Sequence, residues 1–176
     1  ESYIFRGDDK SYYARIDKNE TQIDDLLPFS LPSSWEWCKL SSVWTLLSGR
    51  DLTPSEYNDV SNGIPYITGA SNFENGQLTI NRWTSTPKVI SSLGDLLITC
   101  KGTVGEMLIN EIGDVHIARQ IMAFRTDYTL NMSFFQYTLM FYIRSIQYAA
   151  HGVIPGIARE DLLNIYLPLP PFPEQQ

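Results

Sequence analysis

The sequence predicts an α+β fold, in which an irregular, twisted, β-rich part made of short strands precedes a C-terminal helical part. Short apolar runs separated by glycine and asparagine turns fill residues 31–130. From residue 131 onward, apolar residues instead recur at steps of three or four, as on one face of a helix. With 176 residues and 43% hydrophobic content, the chain is long enough to bury a sizeable core.

Residues 1–30 have no strong periodicity, and we predict an extended leader that packs on the domain through its aromatic residues. The domain itself is predicted to span residues 31–165, with a β-rich part at 31–130 and a helical part at 131–165. It opens with Trp35 and Trp37 separated by a polar residue, which favours a strand that enters a core.

After this first strand, Ser41 or Ser42 is expected to cap a short helix or turn that closes at Gly49. Further strands are predicted at residues 64–67, 78–80, 96–98, 107–109, 115–118 and 121–125. Asn75-Gly76 is a strong signal for a two-residue hairpin.

The helical part begins at a candidate N-cap, Asn131 or Ser133. One helix face would carry Phe135, Leu139, Tyr142, Ile143 and Ile146, and the helix would close at residues 149–152. Residues 166–176 are predicted to be a proline-rich exit into a further helix. That helix is truncated here, so we expect the natural chain to continue.

The net charge of −7 and the pI near 4.7 argue against a free-standing nucleic-acid binder, whose usual footprint is basic. Residues 82–159 nevertheless hold seven bases and five acids, so folding could assemble a locally basic face. The two cysteines are isolated and make neither a metal spacing nor a disulfide framework, which indicates a reducing, cytoplasmic location. Since no apolar run approaches about 20 residues, no membrane segment is predicted.

No known catalytic motif occurs in the chain, so we predict no catalytic residue, no metal site and no cofactor of its own. His116 follows a strand-like valine and is interpreted as a structural or surface histidine rather than a catalytic base. His151 lies at the predicted helix end, where an imidazole either meets free carbonyl groups or contacts a ligand.

The stretch 94–105 places a lysine and two glycines directly after an apolar strand. Two readings are open: a hairpin turn with a solvated lysine, or backbone N–H groups and a lysine that together hold a phosphate. Other loops carry amide and guanidinium side chains, which pair with adenine and guanine respectively in the DNA major groove. The candidate DNA-binding residues are Thr68, Ser71, Asn72, Lys101, Gly102, Thr103, Arg119, Gln120, His151 and Arg159. Each is also an ordinary turn former or solvated side chain on its own.

Several motifs occur in the order found in one known family. They are Leu31-Pro32-x-x-Trp35-Glu36-Trp37-x-Lys39-Leu40, Gly63-Ile64-Pro65-Tyr66-Ile67, Gly94-Asp95-Leu96-Leu97-Ile98, Lys101-Gly102-Thr103-x-Gly105, Ile154-Pro155-Gly156-Ile157 and the tail from Leu167 to Gln176. In this order the chain resembles a target-recognition domain in the DNA-specificity subunit of type I restriction–modification enzymes. The leader Ile4-Phe5-Arg6-Gly7-Asp8-Asp9 is similar to the segment that often precedes such a domain.

The resemblance implies a single recognition domain that reads one half of a split duplex DNA target. It also implies methyltransferase (modification) subunits that carry S-adenosylmethionine and the catalysis, and a separate restriction and motor subunit that cleaves DNA. The tail would lead into the conserved spacer helix of that family. A second hypothesis is a non-catalytic protein-interaction domain, bound through the exposed aromatics of the leader and the proline-rich tail.

Overall fold

The computed structural model describes residues 2–149 and 156–176 and confirms the predicted α+β class. The strands in this part of the chain are β1 (Ser2–Arg6), β2 (Tyr12–Ile16), β3 (Asn19–Gln22), β4 (Glu36–Lys39), β5 (Thr45–Ser48), β6 (Ile64–Ile67), β7 (Phe73–Glu74), β8 (Gln77–Leu78), β9 (Trp83–Thr84), β10 (Ile90–Ser91), β11 (Leu96–Thr99), β12 (Met107–Ile109), β13 (Val115–Ile117), β14 (Ile121–Arg125) and β15 (Tyr166–Leu169). The helices are α1 (Leu40–Val43), α2 (Met132–Ala149) and α3 (Arg159–Leu163), and 3-10 turns lie at Asp24–Leu26, Pro54–Glu56, Ala70–Asn72 and Phe172–Gln175.

The central sheet has the order β12-β11-β14-β5, and every neighbouring pair in it is antiparallel. Its strand β11 is buried along its whole length. Leu96 and Ile98 face the core cluster under helix α2, whereas Leu97 faces a second cluster on the opposite side. Burial on both faces explains why three consecutive apolar residues form a strand here.

Helix α2 covers one face of the central sheet. Its N-cap is Asn131, as predicted, since the side-chain oxygen of Asn131 accepts the backbone N–H of Phe134 at 3.0 Å. Phe135 and Leu139 are buried against the sheet, and the Phe135 ring stacks on Trp44 with 3.9 Å between centroids. The predicted closure beyond Ala149 lies outside the described residues.

A second sheet, of order β10-β13-β6-β9, covers the other face of the central sheet. Its two middle strands are parallel, with His116 opposite Tyr66. Ile67, Val115 and Ile117 of this sheet pack against the central sheet. The hairpin predicted at Asn75-Gly76 is confirmed between β7 and β8.

The leader is folded rather than extended. Strands β1, β2 and β3 form an antiparallel three-stranded sheet, in which Phe5 stacks on Tyr13 with 5.6 Å between ring centroids. A cavity of about 370 Å³ lies between this sheet and strands β4 and β15, with Tyr3 on one side and Trp37 on the other. The prediction of an extended segment was wrong because the turns at 7–10 and 17–18 allow adjacent short strands to pair.

The segment between Leu40 and Gly49 also differs from its prediction. The single helical turn α1 begins at Leu40 without a side-chain cap, so neither predicted serine caps it. Residues 45–48 are then strand β5, because Leu46 points into the cluster under α2 while Leu47 packs against the opposite cluster. This alternation is that of a strand between two layers.

The proline-rich tail closes the domain. Strand β15 pairs with β4, so that Leu167 lies opposite Cys38. Pro168 and Pro170 are buried. Gln175 is also buried, and its side-chain oxygen accepts the backbone N–H of Asn131 at 2.9 Å. These two prolines therefore pack in the core and are not exposed as part of a polyproline ligand.

Candidate nucleic-acid interface

One edge of the two stacked sheets gathers five loop segments. The parallel strands β6 and β13 both end at this edge, and β14 begins there after a tight turn in which Ile121 donates to the carbonyl of Ala118 at 2.9 Å. Strands β5 and β11 run antiparallel to β14 and therefore end at the same edge. The segments that leave these strands or pack on their ends are 49–51, 68–72, 100–105, 118–120 and 156–159. We call their exposed face the loop surface.

Backbone hydrogen bonds hold these segments to one another. Cys100 donates to the carbonyl of Gln120 at 2.8 Å, and Ile157 donates to the carbonyl of Cys100 at 2.9 Å. Ala118 donates to the carbonyl of Ile67 at 2.9 Å. The first two bonds join one segment to another, and the third joins a segment to the end of β6, so the loop surface is fixed relative to the scaffold.

Arg119 and Gln120 are the two central residues of the turn between β13 and β14, and both are exposed. Asp51 binds Arg119 twice: one carboxylate oxygen accepts the backbone N–H at 3.1 Å, and the other pairs with Nε at 2.8 Å. The Gln120 side chain lies over Gly69, where an added Cβ would come within 2.4 Å of the Gln120 Oε1. Two neighbouring loops therefore flank the two side chains.

Lys101, Gly102 and Thr103 form an exposed loop between β11 and β12. Gly102 has a φ of 76°, and nothing lies within 4 Å of where its Cβ would be. The glycine is thus required by backbone conformation and not by close packing. The Lys101 side chain has no hydrogen-bond or ion-pair partner among the described residues, so none of these residues neutralises its ammonium group.

The loop after β6 divides into one exposed and one buried residue. Ser71 is exposed, whereas Asn72 is fully buried. The Asn72 side-chain oxygen accepts both the backbone N–H and the hydroxyl of Thr68, at 2.8 and 3.0 Å, and its amide donates to the carbonyl of Thr79 at 2.8 Å. The prediction that Asn72 contacts DNA is therefore corrected, because this buried side chain is used to shape the loop. Contact between half-buried Thr68 and DNA stays a prediction.

Arg159 is half-buried at the edge of the loop surface. Its guanidinium donates to the carbonyl of Leu46 and lies 3.4 Å from the hydroxyl of Ser48. Through Nη1, Arg159 thus ties the start of α3 to strand β5, and its contact with DNA stays a prediction. His151, the remaining candidate, lies outside the described residues.

Two charged residues of the loop surface, Arg50 and Asp51, were not among the predicted candidates. Their position depends on His116, a fully buried residue whose Nε2 lies 2.8 Å from the carbonyl oxygen of Arg50. Burial lowers the pKa of His116, although hydrogen bonds to Arg50 and Val89 act in the opposite direction. These contacts support a structural role for His116. Through Arg50, this role includes positioning the loop that carries Asp51.

The loop surface is basic although the chain is acidic. Its five segments carry four bases (Arg50, Lys101, Arg119 and Arg159) and one acid, Asp51, which gives a formal charge of +3 against −7 for the whole chain. Glu106 and Glu160 follow directly on two of the segments. Within the described ranges, no group of three or more His, Cys, Asp or Glu side chains could hold a metal ion. The five segments thus combine a local excess of basic residues with exposed hydrogen-bond donors.

The family model described as "Type I restriction modification DNA specificity domain" matches residues 32–176. The chain is 27% identical over 150 residues to the putative type I restriction enzyme MjaX specificity subunit of Methanocaldococcus jannaschii, which corresponds to 83% of this chain and 35% of that protein.

Solved structures are similar as well. The HsdS subunit from Thermoanaerobacter tengcongensis matches with a TM-score of 0.70 and 28% identity, over 84% of this chain and 36% of that one. A chain solved in work on complex assembly and conformational transition of the type I R-M system matches with a TM-score of 0.71 and 27% identity, over 87% of this chain and 39% of that one. This chain thus spans between 35% and 39% of the length of these relatives.

Proposed function

Because the chain belongs to the family of type I restriction modification DNA specificity domains, its function is DNA sequence recognition, and we propose that it reads duplex DNA through the loop surface. The observation that carries this proposal is the +3 charge of five loops that meet at one sheet edge in a chain of charge −7. Duplex DNA is a dense array of phosphates, so a local basic surface is favoured over an acidic one.

Within the loop surface, phosphate contact and base contact are assigned to different residues. Lys101 lies on an exposed loop, and its ammonium group has no partner in the described part of the chain, so it suits a phosphate, together with the hydroxyl of Thr103. Arg119 and Gln120 project from a turn between two buried strands, and their side-chain donors and acceptors match base edges. Phosphate contacts fix the position of the domain on DNA, and base contacts select the sequence.

The larger assembly follows from the family. We propose that this domain reads one half of a bipartite target and directs methyltransferase and restriction subunits to it. Specificity domains are non-catalytic, so we assign S-adenosylmethionine and methyl transfer to the modification subunits. No helix in the described part of the chain is long and apolar enough to span a membrane. We place the protein in the cytoplasm, where its DNA target lies.

A domain exchange tests the proposed function. Residues 31–169 of the full-length protein are replaced by the equivalent domain of a relative, and methylated sites are then mapped by sequencing in cells. The junctions keep β4 and β15 in the same exchanged unit, since these strands pair with each other. We expect one half of the methylated target to change to that of the donor domain, while the other half stays the same.

An unchanged methylated sequence after the exchange would contradict a role in recognition. A transplant of residues 2–30 alone serves as the matched control, because the leader sheet lies outside the loop surface. We expect that control to methylate the original target.

A further inference from the structure

The Asp51–Arg119 pair does more than neutralise charge. Asp51 contacts both the backbone N–H and the side-chain Nε of Arg119, so one carboxylate fixes two ends of the same residue. Nη1 and Nη2 of Arg119 have no partner among the described residues. About two thirds of the Arg119 side chain is exposed, at 67%. The guanidinium is therefore held along one side and open at its tip.

A guanidinium held at Nε can still present two parallel N–H groups from Nη1 and Nη2. This planar fork matches the adjacent O6 and N7 acceptors of guanine in the major groove. The same fork also binds phosphate in a bidentate manner. Phosphate contacts carry no sequence information, whereas guanine is distinguished from the other bases only when both N–H groups meet O6 and N7. A fixed orientation of the guanidinium therefore bears directly on base discrimination.

We propose that Arg119 reads a guanine in the half-site of this domain, and that Asp51 is the positioning residue that orients its guanidinium. The inference rests on the proposed function and adds the identity of one base. Each carboxylate oxygen of Asp51 accepts one hydrogen bond from Arg119, which assigns Asp51 to the orientation of this arginine.

The other arginines of the loop surface lack this arrangement. Nη1 of Arg159 donates to the carbonyl of Leu46, and among the described residues no carboxylate pairs with this guanidinium. The Arg50 side chain is exposed and has no carboxylate partner among the described residues. Arg119 is accordingly the arginine of the loop surface that combines an open tip with a fixed orientation.

The test uses the full-length specificity protein assembled with its modification subunits and a random-sequence duplex DNA library. Methylated molecules are sequenced, and base preference is measured at every target position for Arg119→Ala, Arg119→Lys, Asp51→Asn and the control Asp59→Asn. Asp59 is exposed on the loop that follows Asp51, and its substitution makes the same change of charge. Thermal unfolding of each variant checks that it is folded.

Arg119→Ala should lower the preference for guanine at one position by about 5- to 150-fold, with the other positions unchanged. Arg119→Lys should lower the preference for guanine at the same position, because lysine lacks the two parallel N–H donors of the guanidinium. The salt dependence of binding should be preserved, because lysine keeps the positive charge. Asp51→Asn should lower the preference for guanine at that position by about two- to tenfold, because the Arg119 guanidinium is no longer held in one orientation. Asp59→Asn should leave every position unchanged.

Three results would overturn the inference. If Arg119→Ala weakens methylation equally at all sequences, or has no effect, Arg119 does not read a base. If the relaxed position is not a guanine, the base assignment is wrong. If Arg119→Ala relaxes a guanine but Asp51→Asn does not, Asp51 has no positioning role. All three leave the domain-exchange result intact, so failure of the inference is distinguishable from failure of the proposed function.

Discussion

Nε2 of His116 lies 2.8 Å from the carbonyl oxygen of Arg50, in a site where the histidine is fully buried. The other ring nitrogen, Nδ1, lies 2.9 Å from the carbonyl oxygen of Val89. One imidazole thereby links two chain segments on either side of β13. Asp51 directly follows Arg50 in the segment 49–51, so this buried histidine supports the exposed loop surface.

The pKa of His116 predicts a pH dependence of stability. Burial holds this pKa below its ordinary value in the folded protein, so the unfolded chain binds a proton at a higher pH than the folded chain does. We therefore expect the free energy of unfolding to fall as the pH is lowered below about 6.5, the ordinary histidine value. The fall should end once the pH is below the folded pKa.

Urea unfolding at several pH values between about 5.5 and 7.5 measures this effect. His116→Gln removes the titrating group, and we expect a flatter profile in that variant. An equally steep profile would assign the pH dependence to another residue.

Helix α2 allows a matched test of the core. Leu139 is fully buried against the central sheet, and Leu139→Ala should lower the free energy of unfolding by about 2–5 kcal/mol through lost contacts and a cavity. Tyr137 lies on the same helix but is exposed, so Tyr137→Ala should change stability by less than about 0.5 kcal/mol. Equal effects of the two substitutions in urea denaturation would mean that α2 does not pack as described.

Lys101→Ala tests the phosphate assignment. Loss of one phosphate contact should weaken binding about equally for all sequences and reduce the slope of log K against log salt by ~0.9. Binding is measured by fluorescence anisotropy with the assembled protein at several salt concentrations. Lys18→Ala, on the turn between β2 and β3, is the matched control and should leave the slope unchanged. If the base preference changes in Lys101→Ala, the lysine contacts a base instead.

Gly69→Ala should move the Gln120 side chain without unfolding the loop. The new Cβ would fall 2.4 Å from Oε1, which is the far end of a flexible side chain and can shift. We expect a stability change within about 0.5 kcal/mol and an altered preference at the base read by Gln120, measured by sequencing methylated DNA. The double variant Gly69→Ala with Gln120→Ala should have the same base preference as Gln120→Ala alone. A further change of base preference in the double variant would show that Gly69→Ala acts through another residue.

The sequence predicted the scaffold better than the loops. Residues 96–98 were correctly predicted as a strand, because a short apolar run indicates a buried strand without any knowledge of what covers its faces. Residues 45–48 were misread, since the spacing of Trp44, Leu46 and Leu47 fits a helical turn and a strand equally well. The partner that decides between them is β14, which lies far along the chain.

The candidate site was predictable by residue type but not by exposure. Asn72 has an amide group that suits base contact, but the turn around it buries the side chain. The neighbouring residues in the sequence do not predict this burial. Asp51 was missed because its partner Arg119 is 68 residues away. Single-sequence patterns describe local spacing, so contacts of this range appear only after folding.

The pairing of β4 with β15 places residues 36–39 beside residues 166–169. The polypeptide therefore enters and leaves this domain through adjacent points on one small ribbon, with the reading loops on the sheet edge built in between. Recombination at those two points would transplant a complete reading unit while disturbing little else. DNA specificity can thus change in evolution by exchange of the whole domain, as well as by point mutation of the exposed loops.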